Sequence, residues 1–452
     1  MDPPAGPRPA PGRVRGVRAL PALARELVRT RFPALQSRNY RLYWTGQAIS
    51  LVGTWMQSVA VSWLVWRLSK SPFLLGLVGV SMTLPILALS LHAGVVADRF
   101  VRRRVILITQ TFSLVQALVL ASLVTWGHPP VAVVLGLVGV MGVINAFDLP
   151  ARQSFISETV EPALLSNAIA LHSAIFNGAR LLGPALAGGV LATLGEAPCF
   201  WINALSYLAV LYGLWRMDLP AAPPRARAGS ALEHIREGVR YAWNLPRLRN
   251  LLVLLGTAGS FGFQYTVLVP IYADRLLHAG ASGYGLLMSA AGVGSLLAAL
   301  TLTARQDRAK LRLNLLIGLS LFGAGLIAFS FSRVFALSVA LNLVIGFGMV
   351  LYGASTNTLV QSTVDDAYRG RVMSLYTLMF IGTAPLGSFV LGSVAQHFGA
   401  PWATRISGGL CVLGALWVFQ RLRTQARTQP GDSARLPPPA ARRAAAGGGE
   451  AT

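Results

Sequence analysis

The sequence predicts an all-α membrane protein whose twelve transmembrane helices form two pseudo-symmetric six-helix bundles. Four observations carry this expectation. Of 452 residues, 54% are hydrophobic and only 12% charged, where an ordinary soluble domain carries about 25% charged residues. The apolar residues gather into blocks of about 20, the length that crosses ~30 Å of hydrocarbon. The charges fall between the blocks with a strong bias to one side, and the second half of the chain repeats the first.

Residues 1–40 are rich in Pro and Arg. They hold no short apolar core followed by a small-residue cleavage site, so no cleaved signal peptide is expected and targeting falls to the first span. Val14 to Leu35 interleaves apolar residues with Arg15, Arg18, Arg25, Arg29 and Arg31. That pattern fits an amphipathic helix on an anionic membrane surface or a disordered basic tail.

Six spans then read near 42–66, 72–96, 104–127, 130–149, 167–194 and 198–216. A break over 217–248 contains Pro220, Pro223 and Pro224 and ends in an amphipathic stretch, Ala231 to Trp243, read as an interfacial helix. Six more spans follow near 250–273, 283–304, 313–332, 335–356, 372–397 and 402–420, before a polar, Pro-rich tail. The expected organisation is a basic cytoplasmic segment (1–40), an N-terminal bundle (41–216), a cytoplasmic linker (217–248), a C-terminal bundle (249–421) and a disordered cytoplasmic tail (422–452).

In a soluble chain the net charge of +23 would point to nucleic acid, so the position of the charges decides. With both termini cytoplasmic, 33 Lys and Arg fall in inside segments and five outside: Arg67, Lys70, Arg275, Arg333 and Arg405. Basic residues are retained on the cytoplasmic side of short loops, so this distribution fits twelve spans, and one span more or fewer would scramble it. The one remaining base, Arg180, lies inside the fifth span.

The repeat is visible when TVEPALLSNAIALHSAIFNGARLLGPALAG from Thr159 is set beside TVDDAYRGRVMSLYTLMFIGTAPLGSFVLG from Thr363, an offset of 363 − 159 = 204. Without gaps it aligns Leu171 with Leu375, Gly178 with Gly382, Gly183 with Gly387 and Gly188 with Gly392. A six-span repeat implies two bundles related by an axis along the membrane normal, an arrangement that in transporters frames a cavity used alternately from each side.

Cys199 and Cys411 lie far apart inside apolar blocks, giving neither a disulfide framework nor metal-ligand spacing. The phosphate-binding pattern Gly-x-x-x-x-Gly-Lys-[Ser/Thr] does not occur, and the only lysines are Lys70 and Lys310. No nucleophile–base pair or carboxylate pair has recognisable spacing, so neither an enzyme nor a cofactor is expected.

After the second span the chain reads GVVADRFVRRRVIL. This resembles the loop signature of the major facilitator superfamily, Gly-x-x-x-Asp-Arg-x-Gly-Arg-Arg, through Gly94, Asp98, Arg99, Arg102 and Arg103, with Val101 in place of the second glycine. NYRLYWTGQAISLVGTWMQ, NAFDLPARQSF, GVRYAWNLPRLRNLL and VQSTVDDAYRGRVMSLYTL narrow the likeness to the exporter branch that includes the enterobactin exporter and macrolide-efflux-like proteins. The resemblance covers about residues 36–421. It implies alternating access driven by an ion gradient, usually protons, with Asp98, Arg99, Arg102 and Arg103 latching one conformation. GPALAGG from Gly183 resembles the family's antiporter signature with one residue inserted, and Pro184 there can bend the span. Close helix packing through small residues explains the same segment.

Arg180 is the sharpest candidate for a binding or gating charge, because a guanidinium in mid-span costs several kcal/mol unless it meets water or a partner. Asn177 lies one turn before it, and burial against carbonyls or a carboxylate is the alternative. Asp148, read at the cytoplasmic end of the fourth span near headgroup level, could pair with Arg180 or Arg152, exchange a proton, or cap the turn before Pro150. Asp274, at the outer end of the seventh span, carries the same ambiguity. Thr54, Trp55, Gln57, Asn145, Gln264 and Tyr265 supply polar groups and a stacking face at cavity depth, or serve packing alone. His92 and His172 could titrate near neutral pH or pack as neutral rings.

The leading expectation is a monomeric, multi-pass protein of the bacterial inner membrane that exports a hydrophobic or amphipathic small molecule (drug, siderophore or secondary metabolite) in exchange for protons. Its partners would be the lipid bilayer, that substrate and protons, with no nucleic acid. A lipid-like substrate or nutrient uptake is a second reading, since fold fixes neither direction nor cargo. A receptor or scaffold that transports nothing is a third.

Overall fold

A computed structural model describes residues 32–127, 129–219, 231–302, 308–365 and 368–428. The expectations for the basic N-terminal segment and for the tail past 428 lie outside them. Among the described residues, twelve helices are long and apolar enough to span a membrane. In the first half these are α1 (Arg38–Ser69), α2 (Pro72–Arg99), α3 (Arg102–Trp126), α4 (Val131–Thr159), α5 (Leu165–Leu194) and α6 (Ala197–Trp215). In the second half they are α7 (Pro246–Leu276), α8 (Gly280–Thr301), α9 (Arg308–Phe331), α10 (Phe335–Thr363), α11 (Arg369–Phe398) and α12 (Ala400–Thr428). An even number of crossings puts the first residues of α1, the linker and the end of α12 on one side, the termini face. The opposite side is the far face.

The turns follow local chemistry. Ser37 caps α1 by accepting from the Tyr40 amide, and the helix stops where Lys70 turns left-handed at φ 50°. Ser71 then caps α2, with Pro72 in its first turn. Gly195 after α5 and Gly399 after α11 both adopt positive φ, 81° and 88°, where a side chain would be strained.

The internal repeat is reproduced in the helix bounds. α10 starts and ends where α4 does after the shift, since 335 − 131 and 363 − 159 both equal 204. α11 stands in the same relation to α5, as 369 − 165 and 398 − 194 equal 204. The two are not identical inside: α5 runs unbroken through Pro184, whereas α11 is interrupted between Ile381 and Ala384.

Two segments differ from the sequence reading. α4 does not stop before Pro150 but continues to Thr159. Asp148 therefore sits 11 residues from its end, ~16 Å along the axis, inside the helix rather than at its terminus. Arg152, counted above among the inside bases, is also within the helix. The seventh span is irregular: π-helical turns over Ala258–Gly262 and Tyr272–Leu276 flank a tight turn segment, Phe263–Leu268. Such bulges mark functional sites more often than inert ones.

The linker helix, Ala231–Asn244, docks on the termini face of the second bundle. Its Tyr241 stacks on Tyr368 with ring centroids 4.3 Å apart and donates to Asp365 at 3.1 Å.

Candidate functional site

The bundles meet along two seams, α2 against α11 and α5 against α8, each closed by a glycine–glycine crossing in the half near the far face. A Cβ on Gly188 would stand 2.8 Å from the Gly285 Cα, and one on Gly392 would stand 2.8 Å from the Gly76 Cα. Gly188 and Gly392 are the repeat-related pair, so the same device is used twice. Toward the termini face the fit is lost: a Cβ on Gly94 of α2 or on Gly178 of α5 would meet nothing within 4 Å.

A polar clasp reinforces the closed end. Asp274 on α7 accepts from Trp66 Nε1 at 2.8 Å and Lys70 Nζ at 2.6 Å, both at the end of α1. Arg275 lies 4.7 Å from the Trp66 ring centroid and donates to the Lys70 carbonyl at 3.2 Å. Gln396 of α11 accepts from Ser71 and from the Phe73 amide across the other seam. Trp66, Lys70 and Arg275 are not among the site candidates that the sequence suggests. The available signal was spacing, because Lys70 and Asp274 are 204 residues apart, the interval of the repeat.

Arg180 lies halfway along α5, 15 residues from Leu165 and 14 from Leu194. Its Nη2 is 3.5 Å from the Met349 sulfur on α10, and the guanidinium lies 5.9 Å from the Trp55 ring centroid on α1. Phe176 meets Trp55 edge-on at 6.0 Å. A charge is thus held among soft and aromatic groups from both bundles, a weak form of compensation that leaves the cation available to another partner. Gly183 sets this arrangement, because a Cβ there would collide with the Cβ of Trp55. Pro184 is buried in the same turn and offers its carbonyl to the face of Gly285. Tyr265, 2% exposed, faces the same layer from α7 and bonds Asn342 at 3.3 Å.

The other polar candidates are spread out. Asn177 bonds back to the Ser173 carbonyl at 2.9 Å rather than to Arg180. Gln264 accepts from Ser388 at 2.8 Å within the second bundle, and Asn145 approaches only the Met82 sulfur, at 4.0 Å. Thr54 is tied to its own helix through the Ser50 carbonyl. Gln57 is committed inside the first bundle, donating to Gln116 at 3.1 Å and accepting from Asn203 at 2.8 Å.

Asp148 pairs with Arg152, not Arg180. Its Oδ2 lies 2.5 Å from Arg152 Nε, and its Oδ1 accepts from Thr109 at 2.6 Å and Gln110 at 3.0 Å. Arg152 in turn donates to Gln47 at 3.0 Å. Around this pair sit buried atoms with no hydrogen-bond partner: Tyr43 Oη, Gln47 Nε2, Gln110 Oε1 and His172 Nδ1. The His172 ring stacks on Tyr43 at 6.2 Å, whereas His92 is exposed.

At the termini face, Arg102 forms an ion pair with Glu158 of α4. Arg103 donates to the Leu214 and Trp215 carbonyls at 2.8 and 3.0 Å, capping α6. Asp98 is half-buried and Arg99 exposed. Arg102 and Arg103 thus tie helices together within the first bundle.

Comparison with known proteins agrees with this architecture. The chain is 25% identical to the staphyloferrin A transporter of Staphylococcus aureus over 388 residues, spanning 84% of this chain and 96% of that one. It is 28% identical to the multidrug efflux pump Tap of Mycolicibacterium fortuitum over 384 residues, spanning 82% of this chain and 93% of the pump. Among solved structures, the bacterial homolog of the lysosomal transporter Spinster, in an inward-facing and unoccupied conformation, superposes with a TM-score of 0.67 at 15% identity, covering 85% of this chain and 96% of that one. At that identity the likeness shows the fold alone. Residues 29–446 match the profile of a family described as transmembrane secretion effector. The chain is therefore a multi-pass membrane transporter of the major facilitator superfamily, and it belongs to the transmembrane secretion effector family within the exporter branch of that superfamily.

Proposed function

We propose that this protein exports a hydrophobic or amphipathic small molecule by alternating access, in exchange for protons, across a bacterial inner membrane. The observation that carries the reading is Arg180: a mid-membrane guanidinium between the bundles, walled by Trp55, Phe176 and Met349 and held by no carboxylate among the described residues. Such a setting suits a cargo with an apolar body and one acidic or electron-rich group. The named relatives, a siderophore transporter and a multidrug efflux pump, support that cargo class.

With the termini face in the cytoplasm, as the basic-residue bias argues, the closed far face corresponds to a state that loads from inside. We assign the proton exchange to Asp148. Protonating its carboxylate would release Arg152 and loosen α3 from α4. The protein acts as a monomer, since both halves of the cavity come from one chain.

The test is uptake of a panel of lipophilic acids and dyes into inverted vesicles carrying an imposed pH gradient. Arg180→Ala should abolish uptake at normal protein levels. Asp148→Asn should leave binding but remove the dependence on the gradient. Unchanged gradient-driven uptake in the Arg180 variant for every cargo found would sink the assignment of the central site.

A further inference from the structure

At the termini face of the second bundle a cavity of about 100 Å³ opens between α7, α9, α10 and α12. Three of its lining residues are arginines from three different helices: Arg247 near the start of α7, Arg312 near the start of α9 and Arg421 near the end of α12. Asn250 and Thr363 add uncharged hydrogen-bonding groups, and Arg421 lies 5.9 Å from the Trp417 ring centroid. No carboxylate among the described residues lines it.

Arg247 and Arg421 present like charges to this opening, and an anion between them turns their repulsion into attraction. At about 30 Å³ per water the space holds a few waters, or one tetrahedral oxyanion. A guanidinium is the group suited to fork onto phosphate oxygens.

The surroundings decide which phosphate. All three arginines stand at the ends of spans, at the level where a bilayer has its headgroups. Leu315 and Val418 line the deeper wall. Leu313 and Phe419, close to the arginines in sequence, are 56% and 41% exposed. Charge above and exposed hydrocarbon below is the order of groups in a lipid molecule.

The corresponding seam of the first bundle is tight at two points. There α1 and α6 close directly, since a Cβ on Gly46 would stand 2.9 Å from the Ala209 carbonyl and one on Gly213 would stand 2.7 Å from that of Leu42.

We propose that this cavity is a specific site for the phosphate of an anionic membrane lipid, whose acyl chains lie beside α9 and α12. Surface-potential arguments value each basic residue near an anionic headgroup at about a five-fold change in binding. The test uses the full chain in nanodiscs of phosphatidylcholine with a minor fraction of phosphatidylglycerol, followed by native mass spectrometry of the retained lipid. Phosphatidylglycerol should be enriched on the wild type, and Arg247→Gln and Arg421→Gln should each lower that enrichment about five-fold. Arg104→Gln, an exposed arginine on the same face of the first bundle, should leave it unchanged.

Equal losses in all three variants would reduce the effect to general surface charge and overturn the site. So would no enrichment in the wild type. If inorganic phosphate displaces the phosphatidylglycerol signal in the mixed discs, and in pure phosphatidylcholine discs protects the wild type against heat as well as phosphatidylglycerol does, the ligand is soluble phosphate and the lipid assignment fails. Because the arginines lie outside the inter-bundle layer, these results are separable from the fate of the export reading.

Discussion

Replacing Asp274 by Ala should open the far face. The Lys70–Asp274 pair is 49% and 28% exposed at its two side chains, so the ion pair itself contributes at most about 1 kcal/mol. Trp66 is 0% exposed, and stripping a buried donor of its acceptor costs about 1–3 kcal/mol. Together the loss is about 2–4 kcal/mol, which at tenfold per 1.4 kcal/mol moves the closed-to-open ratio by about 30- to 700-fold. Lys70→Ala removes only the exposed part and should move the ratio by about five-fold or less.

Spin labels on cysteines introduced at Trp126 and Val334, 80% and 61% exposed in opposite bundles near the far face, report the opening as a longer distance population by double electron–electron resonance. The native Cys199 and Cys411 are buried and can stay. A wild-type distance distribution in Asp274→Ala would refute the clasp. So would a shift in Lys70→Ala as large as that in Asp274→Ala, because the buried tryptophan would then not be the holding contact.

Other perturbations test the remaining contacts. Asp148→Ala leaves Arg152 buried without its carboxylate and should lower stability by about 3–5 kcal/mol, read as a fall in unfolding temperature in lipid discs; Asp148→Ala with Arg152→Met should recover much of the loss. Gly188→Val places a side chain against the Gly285 backbone, and should abolish transport while holding the far-face labels apart. Gly189→Val adds the same volume where nothing lies within 4 Å and should transport at near the wild-type rate, so equal defects in the two would remove the crossing from the mechanism.

The spans were legible because hydrocarbon thickness sets one length scale for every one of them, and because charges cannot remain within it uncompensated. The 204-residue interval was legible too, and in the structure it relates the bounds of α4 to those of α10 and of α5 to those of α11, although the sequence reading ended the fourth span near 149 and the tenth near 356. What composition hides is whether a proline ends a span. Pro150 sits beside a buried ion pair whose carboxylate also bonds α3, and the helix runs on for 11 residues past Asp148. Arg180 could be identified because its cost is local to one span. Gln57 could not be separated from cavity residues, since its commitment to Gln116 and Asn203 depends on three helices meeting. The irregular turns of α7 left no sequence signal beyond a cluster of small residues at Ala258–Gly262.

The clasp between Lys70 and Asp274 carries a consequence for how such a chain came to be. A residue lying on a two-fold axis faces its own copy, so two identical halves would have set like against like at this point. A lysine opposite a lysine, or an aspartate opposite an aspartate, would push the mouth apart. Joining both copies in one polypeptide let the equivalent positions take opposite signs, so this electrostatic fastening was open only to a duplicated gene whose halves had begun to diverge.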